Sequence, residues 1–225
     1  MKRLARHLKR LWLPSLLAAL VVACADDGYH YPDIRQDFLT ARTDDGGYVR
    51  TVQTDDGATY DVQNSVSASD QAADTTLRIV AQYAIQSETD APAAVLLYSA
   101  TVAVSPLPLP ASAFGDGVKA DPASVLSIWM GLDYLNLALE VKGTDASHAF
   151  HFVEDSVAWD PSAARREVHL SLYHDAMDDP PYYTRRAYLS VPLRQYATDG
   201  VQAVAVHFSL RNYDGELETY TFEYE

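Results

Sequence analysis

Apolar and polar residues alternate with a period of two through most of this chain, which predicts β-strands. Two short alternating runs, 47–53 and 58–62, flank Thr54-Asp55-Asp56-Gly57, and Asp-Gly between such runs predicts a hairpin. Two longer runs follow at 76–86 and 94–105. Because four or five strands within about 75 residues suit a small closed barrel, the first half predicts an OB-like fold.

The second half alternates more regularly. Leu135, Leu137 and Leu139 share one face of a predicted strand, while Asn136 and Ala138 share the other. Similar runs occur near residue 150, at 168–173, at 204–210 and at 220–224. Half-buried strands at this spacing predict an antiparallel β-sandwich of about seven strands, with no helix longer than one turn.

The first 24 residues carry a targeting pattern. Residues 1–10 contain five basic side chains, and the uncharged run Leu11–Ala23 is too short to span a bilayer. Val21-Val22-Ala23-Cys24 looks like a bacterial lipobox, so we predict a cleaved signal peptide at 1–23 and a lipid on Cys24. A free buried thiol at Cys24 and an ordinary secreted protein cleaved near Ala25 are the alternatives.

The predicted lipid implies that the membrane is a partner of the protein, and it also predicts where in the cell the protein is located. Several acyl chains hold a protein on a membrane almost permanently, whereas one binds reversibly. Ala25-Asp26-Asp27 resembles the surface-export signal of Bacteroidetes lipoproteins, although a solvated acidic tether explains it equally well. We therefore predict an outer-membrane lipoprotein that is periplasmic or surface-exposed.

Composition shifts divide the chain into four parts. The signal peptide at 1–23 and a tether at 24–37 precede an OB-like barrel domain at 38–117 and a β-sandwich domain at 118–225. The boundary is set near Gly117 because the prolines of Pro106–Pro110 cannot donate ladder hydrogen bonds. The predicted fold class is all-β.

Charge and cysteine content restrict the partners. Removal of residues 1–23 leaves 12 basic residues against 31 acidic ones, a net charge of about −19. Such a chain is not expected to bind nucleic acid or an anionic membrane surface through charge. No cysteine remains for a disulfide after Cys24, so packing must stabilise the fold.

The sequence offers no metal, cofactor or catalytic constellation. His148 and His151 face opposite ways on a regular strand, as do His169 and His174, so neither pair is expected to chelate. The acidic loop at 175–179 is interpreted as a solvated turn rather than a cation site. The sequence contains no nucleophile elbow, phosphate-binding loop or zinc-protease motif, so we predict a protein without catalytic residues.

Tyrosines supply the candidate recognition surface. Four of them surround Pro180-Pro181 and are proposed to contact protein or glycan: Tyr173, Tyr182, Tyr183 and Tyr188. Packing between sheets or along the domain junction is the alternative role for these rings.

Several short motifs together resemble one family. They are Asp37–Thr40, the two Thr-Asp-Asp-Gly strings, Ser127–Gly131, Tyr134–Leu137, His148–Asp155, Leu170–Asp175 and Tyr188–Leu193. In order and spacing they are similar to NigD-like lipoproteins of Bacteroidetes over residues 30–225. The resemblance implies an OB-like domain followed by a β-sandwich and, since the namesake is encoded beside a bacteriocin, an immunity or accessory role. A glycan-binding or glycan-processing accessory lipoprotein and a structural or adhesin-type subunit are the alternatives.

Overall fold

The computed structural model describes residues 32–67, 73–86, 93–198 and 200–224. The predicted signal peptide, Cys24 and residues 25–31 of the predicted tether lie outside this part. The first strand begins at Arg35, so residues 35–37 of the predicted tether belong to a strand. In the described part of the chain, no helix has the length and apolar character needed to cross a membrane.

The first five strands close into a barrel in the order β1-β2-β3-β5-β4. They are β1 (Arg35–Thr43), β2 (Val49–Thr54), β3 (Thr59–Val62), β4 (Thr76–Gln86) and β5 (Ala94–Val102). Strands β2 and β3 pair antiparallel across the second Thr-Asp-Asp-Gly turn, which confirms the predicted hairpin. Gly57 lies at φ +92°, a backbone conformation that side-chain-bearing residues rarely adopt. The barrel interior is filled by apolar side chains such as Leu39, Ile79 and Leu97.

The remaining strands form a sandwich of two sheets. They are β6 (Leu109–Pro110), β7 (Ser124–Gly131), β8 (Tyr134–Gly143), β9 (Ala149–Asp160), β10 (Arg165–Asp175), β11 (Tyr183–Pro192), β12 (Ala203–Arg211) and β13 (Leu217–Tyr224). One sheet has the order β13-β12-β10-β9-β6 and the other has the order β11-β8-β7. The predicted all-β class, a small barrel followed by a sandwich, is confirmed.

The sandwich differs from the prediction in one respect, because its larger sheet is mixed. Strands β10 and β12 pair in parallel, and so do β6 and β9. The chain leaves β10, forms β11 in the opposite sheet and then returns as β12, so the two crossings restore the original direction. Sequence alternation identifies strands and their faces but carries no information about such crossings.

The segment between the two halves belongs structurally to the sandwich. Strand β6 lies at the edge of the larger sheet, where a proline is tolerated because its missing N–H removes no ladder bond. Residues 106–117, which we predicted as the end of the barrel domain, therefore contribute a sandwich strand. Val104 pairs with β11 through hydrogen bonds from its N–H to Tyr188 O and from Ser190 N–H to its own carbonyl, both 2.9 Å.

Strand β8 is buried on both faces. Leu135, Leu137 and Leu139 point into the sandwich core, as alternation predicts. Asn136 and Ala138 on the other face are also buried, because the outside of the barrel packs against the three-stranded sheet. Phe38, Val80, Ala103 and Tyr188 form the apolar part of this junction.

Candidate functional site

A buried arginine connects the barrel to the sandwich. Arg78 lies on β4 with 2% of its surface exposed. Its Nε donates to Ser190 Oγ at 3.1 Å, and its Nη2 donates to Asn136 Oδ1 at 2.9 Å. Both acceptors belong to the sandwich, on β11 and β8. Nη1 donates to Thr40 Oγ1 at 3.0 Å, so the guanidinium also binds the adjacent barrel strand.

The counter-ion of Arg78 comes from the hairpin turn. Asp55 Oδ1 lies 2.9 Å from Arg78 Nη1, and Asp55 Oδ2 accepts hydrogen bonds from Arg78 Nη2 at 3.2 Å and Asn136 Nδ2 at 2.6 Å. A Cβ on Gly131 would lie 2.3 Å from Asp55 Oδ2, so glycine is required for this close approach. We name Thr40, Asp55, Arg78, Asn136 and Ser190 the junction cluster.

The junction cluster contains an ion pair, Arg78 with Asp55, that is largely buried and hydrogen-bonded to its neighbours. The Tyr134 ring adds a cation–π contact, with its centroid 4.2 Å from the Arg78 guanidinium carbon. Burying two charges is costly unless each polar atom finds a partner, and removing one partner leaves the other uncompensated. The cluster therefore fixes how the barrel docks on the three-stranded sheet.

A cavity of about 250 Å³ opens beside the junction cluster. We name it the junction pocket. Its lining comprises Arg35, Asp37, Phe38, Thr54, Asp55, Asp56, Tyr60, Tyr83, Ile85 and Trp129. Three carboxylates, one arginine and four aromatic rings thus surround one small space. Trp129 stands at the edge of the junction, with its ring centroid 5.4 Å from that of Phe38 in an edge-to-face contact.

Two groups of the junction pocket have shifted pKa values. Burial raises the pKa of Tyr83 above its ordinary value, and the hydrogen bond from its hydroxyl to Asp37 Oδ2 at 2.9 Å acts in the same direction. Tyr83 therefore stays protonated at neutral pH. The Thr54 hydroxyl and the Ala58 N–H hold the pKa of Asp56 below its ordinary value, so this carboxylate is ionised. Carboxylates beside aromatic faces suit a cationic ligand group.

The four predicted recognition tyrosines lie in three different places. Tyr173 stacks on Phe114, with ring centroids 4.7 Å apart, on the larger sheet. Tyr188 packs at the barrel junction, where its centroid is 6.0 Å from that of Phe38. Tyr182 and Tyr183 are exposed, at 76% and 66%. Because Tyr183 and Tyr188 lie five residues apart on one strand, their backbones are separated by about 17 Å.

Two histidine side chains are buried together in the sandwich. His148 Nδ1 lies 2.8 Å from His174 Nε2, although they lie 26 positions apart. His174 Nδ1 lies 2.9 Å from the Asp121 carbonyl and must donate to it, so a neutral His174 accepts the His148 proton at Nε2. The antiparallel register of β9 on β10 pairs Phe150 with His174, so His148, two positions before Phe150, lies diagonally across from His174 on the same face. Spacing along one strand could not reveal this contact.

Asp179 completes this second polar cluster. Its side chain is 3% exposed, with Oδ2 3.4 Å from His148 Nε2. Burial raises its pKa, but hydrogen bonds from the N–H groups of residues 144, 145 and 146 outweigh burial, and the nearby His148 acts in the same direction, so the net shift is downward. The expected solvated turn at 175–179 is thus wrong for Asp179, which ties its loop to residues 144–146, directly after β8. Across the described ranges, no group of three or more candidate ligands is arranged to hold a metal ion.

We expect the buried His174 to make stability depend on pH. Burial is the main cause that lowers its pKa below the ordinary 6.5, and the carboxyl and carbonyl of Asp121 oppose it only partly. The unfolded chain therefore takes up a proton near pH 6.5 that the folded chain takes up only at lower pH. As pH falls below about 6.5, the free energy of unfolding should fall by up to about 1.4 kcal/mol per pH unit. Urea unfolding at pH 7, 6 and 5 measures this slope.

Two glutamine variants test whether His174 causes this pH dependence of the free energy of unfolding. His174→Gln cannot titrate and should flatten the dependence between pH 7 and 5, even though it is less stable at pH 7. His169→Gln is the matched control because His169 lies on the exposed face of the same strand. Equal slopes in His174→Gln and the unsubstituted protein would contradict the assignment.

Comparisons with known proteins identify a family that shares this architecture. The family described as the NigD-like C-terminal beta sandwich domain matches residues 106–224. A NigD-like immunity protein from Bacteroides caccae is 33% identical over 87% of this chain and 99% of its own, with a TM-score of 0.71. The chain belongs to the NigD-like family.

More distant structures share the fold alone with this NigD-like chain. A candidate toxin-related protein from Parabacteroides distasonis is 17% identical, covers 86% of this chain and 94% of its own, and has a TM-score of 0.64. A candidate lipoprotein from Bacteroides fragilis is 13% identical, covers 86% and 99%, and has a TM-score of 0.59. A comparison with curated proteins yields no match.

Sequence reasoning missed the main polar residues of this NigD-like protein. Arg78 was a charged residue within a strongly apolar run, and Asn136 was a polar residue within a leucine-rich one. Polar residues at otherwise buried positions are the signal that could have singled them out, since such groups are retained only when they are paired. Asp55 was identified as a turn residue, and its ion pair was not foreseen.

Proposed function

We propose that this NigD-like protein is a non-catalytic, lipid-anchored envelope protein that binds a protein partner in a bacteriocin-immunity-type role. The observation that carries the proposal is the 33% identity, over 87% of the chain, to a protein named an immunity protein. The lipobox-like sequence before Cys24 supports an outer-membrane anchor. The lack of known catalytic motifs in the sequence supports binding without chemistry.

The junction pocket is the proposed contact for a basic side chain of the partner. A lysine or arginine inserted there meets the Asp37 and Asp56 carboxylates and the Trp129 ring together. A cation over an aromatic face contributes about 0.5–2 kcal/mol, and a charge-assisted hydrogen bond contributes about 1.5–3 kcal/mol. The strong net negative charge of the protein also raises the encounter rate with a basic partner.

A complementation assay tests this proposal. Cells that lack the protein should be killed by a toxin-producing neighbour, and the unsubstituted gene should restore survival. Trp129→Ala removes the exposed ring of the junction pocket, so we expect at least a tenfold loss of survival at equal protein level. Survival counts after exposure to producer supernatant measure the effect.

Trp159→Ala is the matched control for Trp129→Ala. Trp159 is also an exposed tryptophan on a strand, but it lies on β9 in the other sheet and does not line the junction pocket. This variant should restore survival fully. Equal survival with both variants would overturn the junction pocket as the contact, and no sensitivity in cells that lack the protein would overturn the immunity role.

Glycan binding is the second candidate function, and one observation favours it. Trp129 and Tyr60 line the same cavity as Asp37 and Asp56, which is the aromatic-and-carboxylate arrangement that sugar recognition uses. A glycan array probed with the full chain tests this candidate. Binding to one glycan class that Trp129→Ala abolishes would support it, while an array without signal would leave the protein-partner proposal alone.

A further inference from the structure

The second polar cluster, His148, His174 and Asp179, lies at the end of the sandwich where β8 and β10 end and β9 and β11 begin. We name it the histidine latch. His174 is directed between the two sheets, since it lies two positions after the core residue Leu172 and pairs with Phe150. His148 lies on the same face, so the latch closes the core at this end.

Close packing holds the histidine latch together. A Cβ on Gly143 would lie 2.5 Å from Asp179 Oδ2 and 2.7 Å from His148 Nε2, so glycine at the end of β8 is needed for this contact. Asp179 Oδ2 also accepts the N–H of Thr144 at 2.6 Å, and Oδ1 accepts that of Asp145 at 3.3 Å. Asp179 thus fastens its own loop to the residues that follow β8.

The loop that the histidine latch holds is strained. We name residues 176–182, between β10 and β11, the latch loop. Met177 and Asp178 have φ angles of 54° and 58°, in the left-handed region that disfavours residues with a side chain. The loop also exposes large apolar groups, with Met177 at 57% and Tyr182 at 76%. Opening of the latch would relieve this strain, so the latch contacts are what keep the loop in its place.

The contact between the two histidines has room for one proton only. His174 Nδ1 donates to the Asp121 carbonyl, so its Nε2 accepts the proton of His148 Nδ1 at 2.8 Å. Within the part of the chain that the structure describes, His148 Nε2 is buried without a hydrogen-bond partner, and Asp179 Oδ2 lies 3.4 Å from it. A proton added there faces a carboxylate and keeps the latch closed. A further proton on His174 Nε2 would set two N–H groups against each other at 2.8 Å, so this contact must break.

The closed latch resists that further proton. Burial is the main cause that lowers the pKa of His174, and a charge on His148 acts in the same direction. The carbonyl and carboxyl groups of Asp121 and the carboxyl group of Asp175 act in the opposite direction without reversing the shift. A histidine that has left the interior has no such penalty and takes up its proton near pH 6.5.

Three other charged or titratable groups face the latch from the neighbouring strands and turns. Arg185 Nη1 on β11 lies 3.8 Å from Asp179 Oδ2. Lys142 and Tyr213 line a cavity of about 340 Å³ together with His174 and Asp179. The two cationic groups also disfavour added positive charge in the closed state. The cavity gives water a route to the latch once it opens.

We propose that the histidine latch is an acid-sensitive switch, in which a second proton on the histidine pair breaks the latch and releases the latch loop while the barrel and the sandwich stay folded. The closed state is favoured above about pH 6.5 and is lost progressively as pH falls, because the open state binds one proton more. Release changes the position of the exposed Tyr182 ring. The switch is separate from the junction pocket and does not depend on the proposed immunity role.

Hydrogen exchange of the full chain, followed by mass spectrometry at pH 7 and pH 5, tests the proposal. Protection factors, which correct for the slower intrinsic exchange in acid, are compared for two regions. Those of peptides that cover 143–146 and 175–182 should fall at least tenfold from pH 7 to pH 5, since one proton changes the equilibrium by up to about tenfold per pH unit. Those of barrel peptides that cover 77–83 should fall less. An equal fall in both regions would mean global unfolding and would overturn the proposal, as would unchanged protection of the loop.

Histidine variants test whether the second proton is the cause. His174→Gln cannot take up this proton, so protection of its latch loop should be the same at pH 7 and pH 5. His169→Gln keeps the latch and should show the same fall as the unsubstituted protein. A pH dependence that persists in His174→Gln would contradict the proposed switch.

A glycine variant opens the latch without acid. Gly143→Ala places a Cβ against Asp179 and His148, so its latch loop should have at least tenfold lower protection at pH 7, with little further change at pH 5. Gly115→Ala is the matched control, because a Cβ there meets no atom within 4 Å, and its loop protection should equal that of the unsubstituted protein. Full protection of the latch loop in Gly143→Ala at pH 7 would show that the latch does not hold the loop.

Discussion

Replacing Arg78 by alanine is expected to lower the free energy of unfolding by about 3–5 kcal/mol. The substitution leaves the Asp55 carboxylate at the junction without its cation, and it removes the donors to Thr40, Asn136 and Ser190. Because whole domains are stable by only about 5–15 kcal/mol, this loss is a large fraction of the total. Urea unfolding followed by far-ultraviolet circular dichroism at pH 7 measures it.

The chain contains its own matched control for Arg78→Ala. The first aspartate of the other Thr-Asp-Asp-Gly string, Asp44, pairs with Arg50, whose side chain is 53% exposed. Arg50→Ala should cost less than about 1 kcal/mol because water solvates the remaining carboxylate. If Arg78→Ala proves equally mild, the junction cluster does not hold the two halves of the molecule together.

The contrast between these two aspartates shows what the sequence could predict. Both strings predict turns, and both form turns between barrel strands. In the first, Asp44 accepts hydrogen bonds from the Gly46 and Tyr48 N–H groups and stays at the surface. In the second, Asp55 points to the sandwich. Identical tetrapeptides therefore have different surroundings, because the sandwich covers only one of them. Local sequence does not encode where the sandwich docks.

Strand β8 shows the same limit for the core. Alternation identified the strand and its leucine face, since one buried face is enough to produce a period of two. It could not identify the second buried face, because that face is covered by residues of the barrel that are distant in the chain. Arg78, for example, lies 58 positions before Asn136. Fold class and strand positions depend on local periodicity and were predictable. The junction pocket and the histidine contact depend on long-range packing and strand register and were not.

Replacing Cys24 by alanine is expected to move the protein from the membrane fraction to the soluble fraction and to abolish its labelling by fatty acid. Each buried methylene of an acyl chain contributes about 0.8 kcal/mol to membrane binding, so the loss of several chains removes essentially all of the anchoring free energy. The substitution leaves the only cysteine position without a thiol to acylate. Carbonate extraction of envelopes, followed by immunoblotting of both fractions, measures the distribution.

The control for Cys24→Ala must keep the thiol while changing the leader. Ser15→Ala does so, because it lies within the apolar run and makes that run more apolar. This variant should stay fully membrane-bound and labelled. If Cys24→Ala also stayed in the membrane fraction, an uncleaved leader or a protein partner would have to hold it there. The size of the retained protein then distinguishes these two explanations, because an uncleaved leader adds 23 residues. Retention of the shorter, processed chain would mean that contacts made by the folded domains, rather than a lipid, anchor this protein.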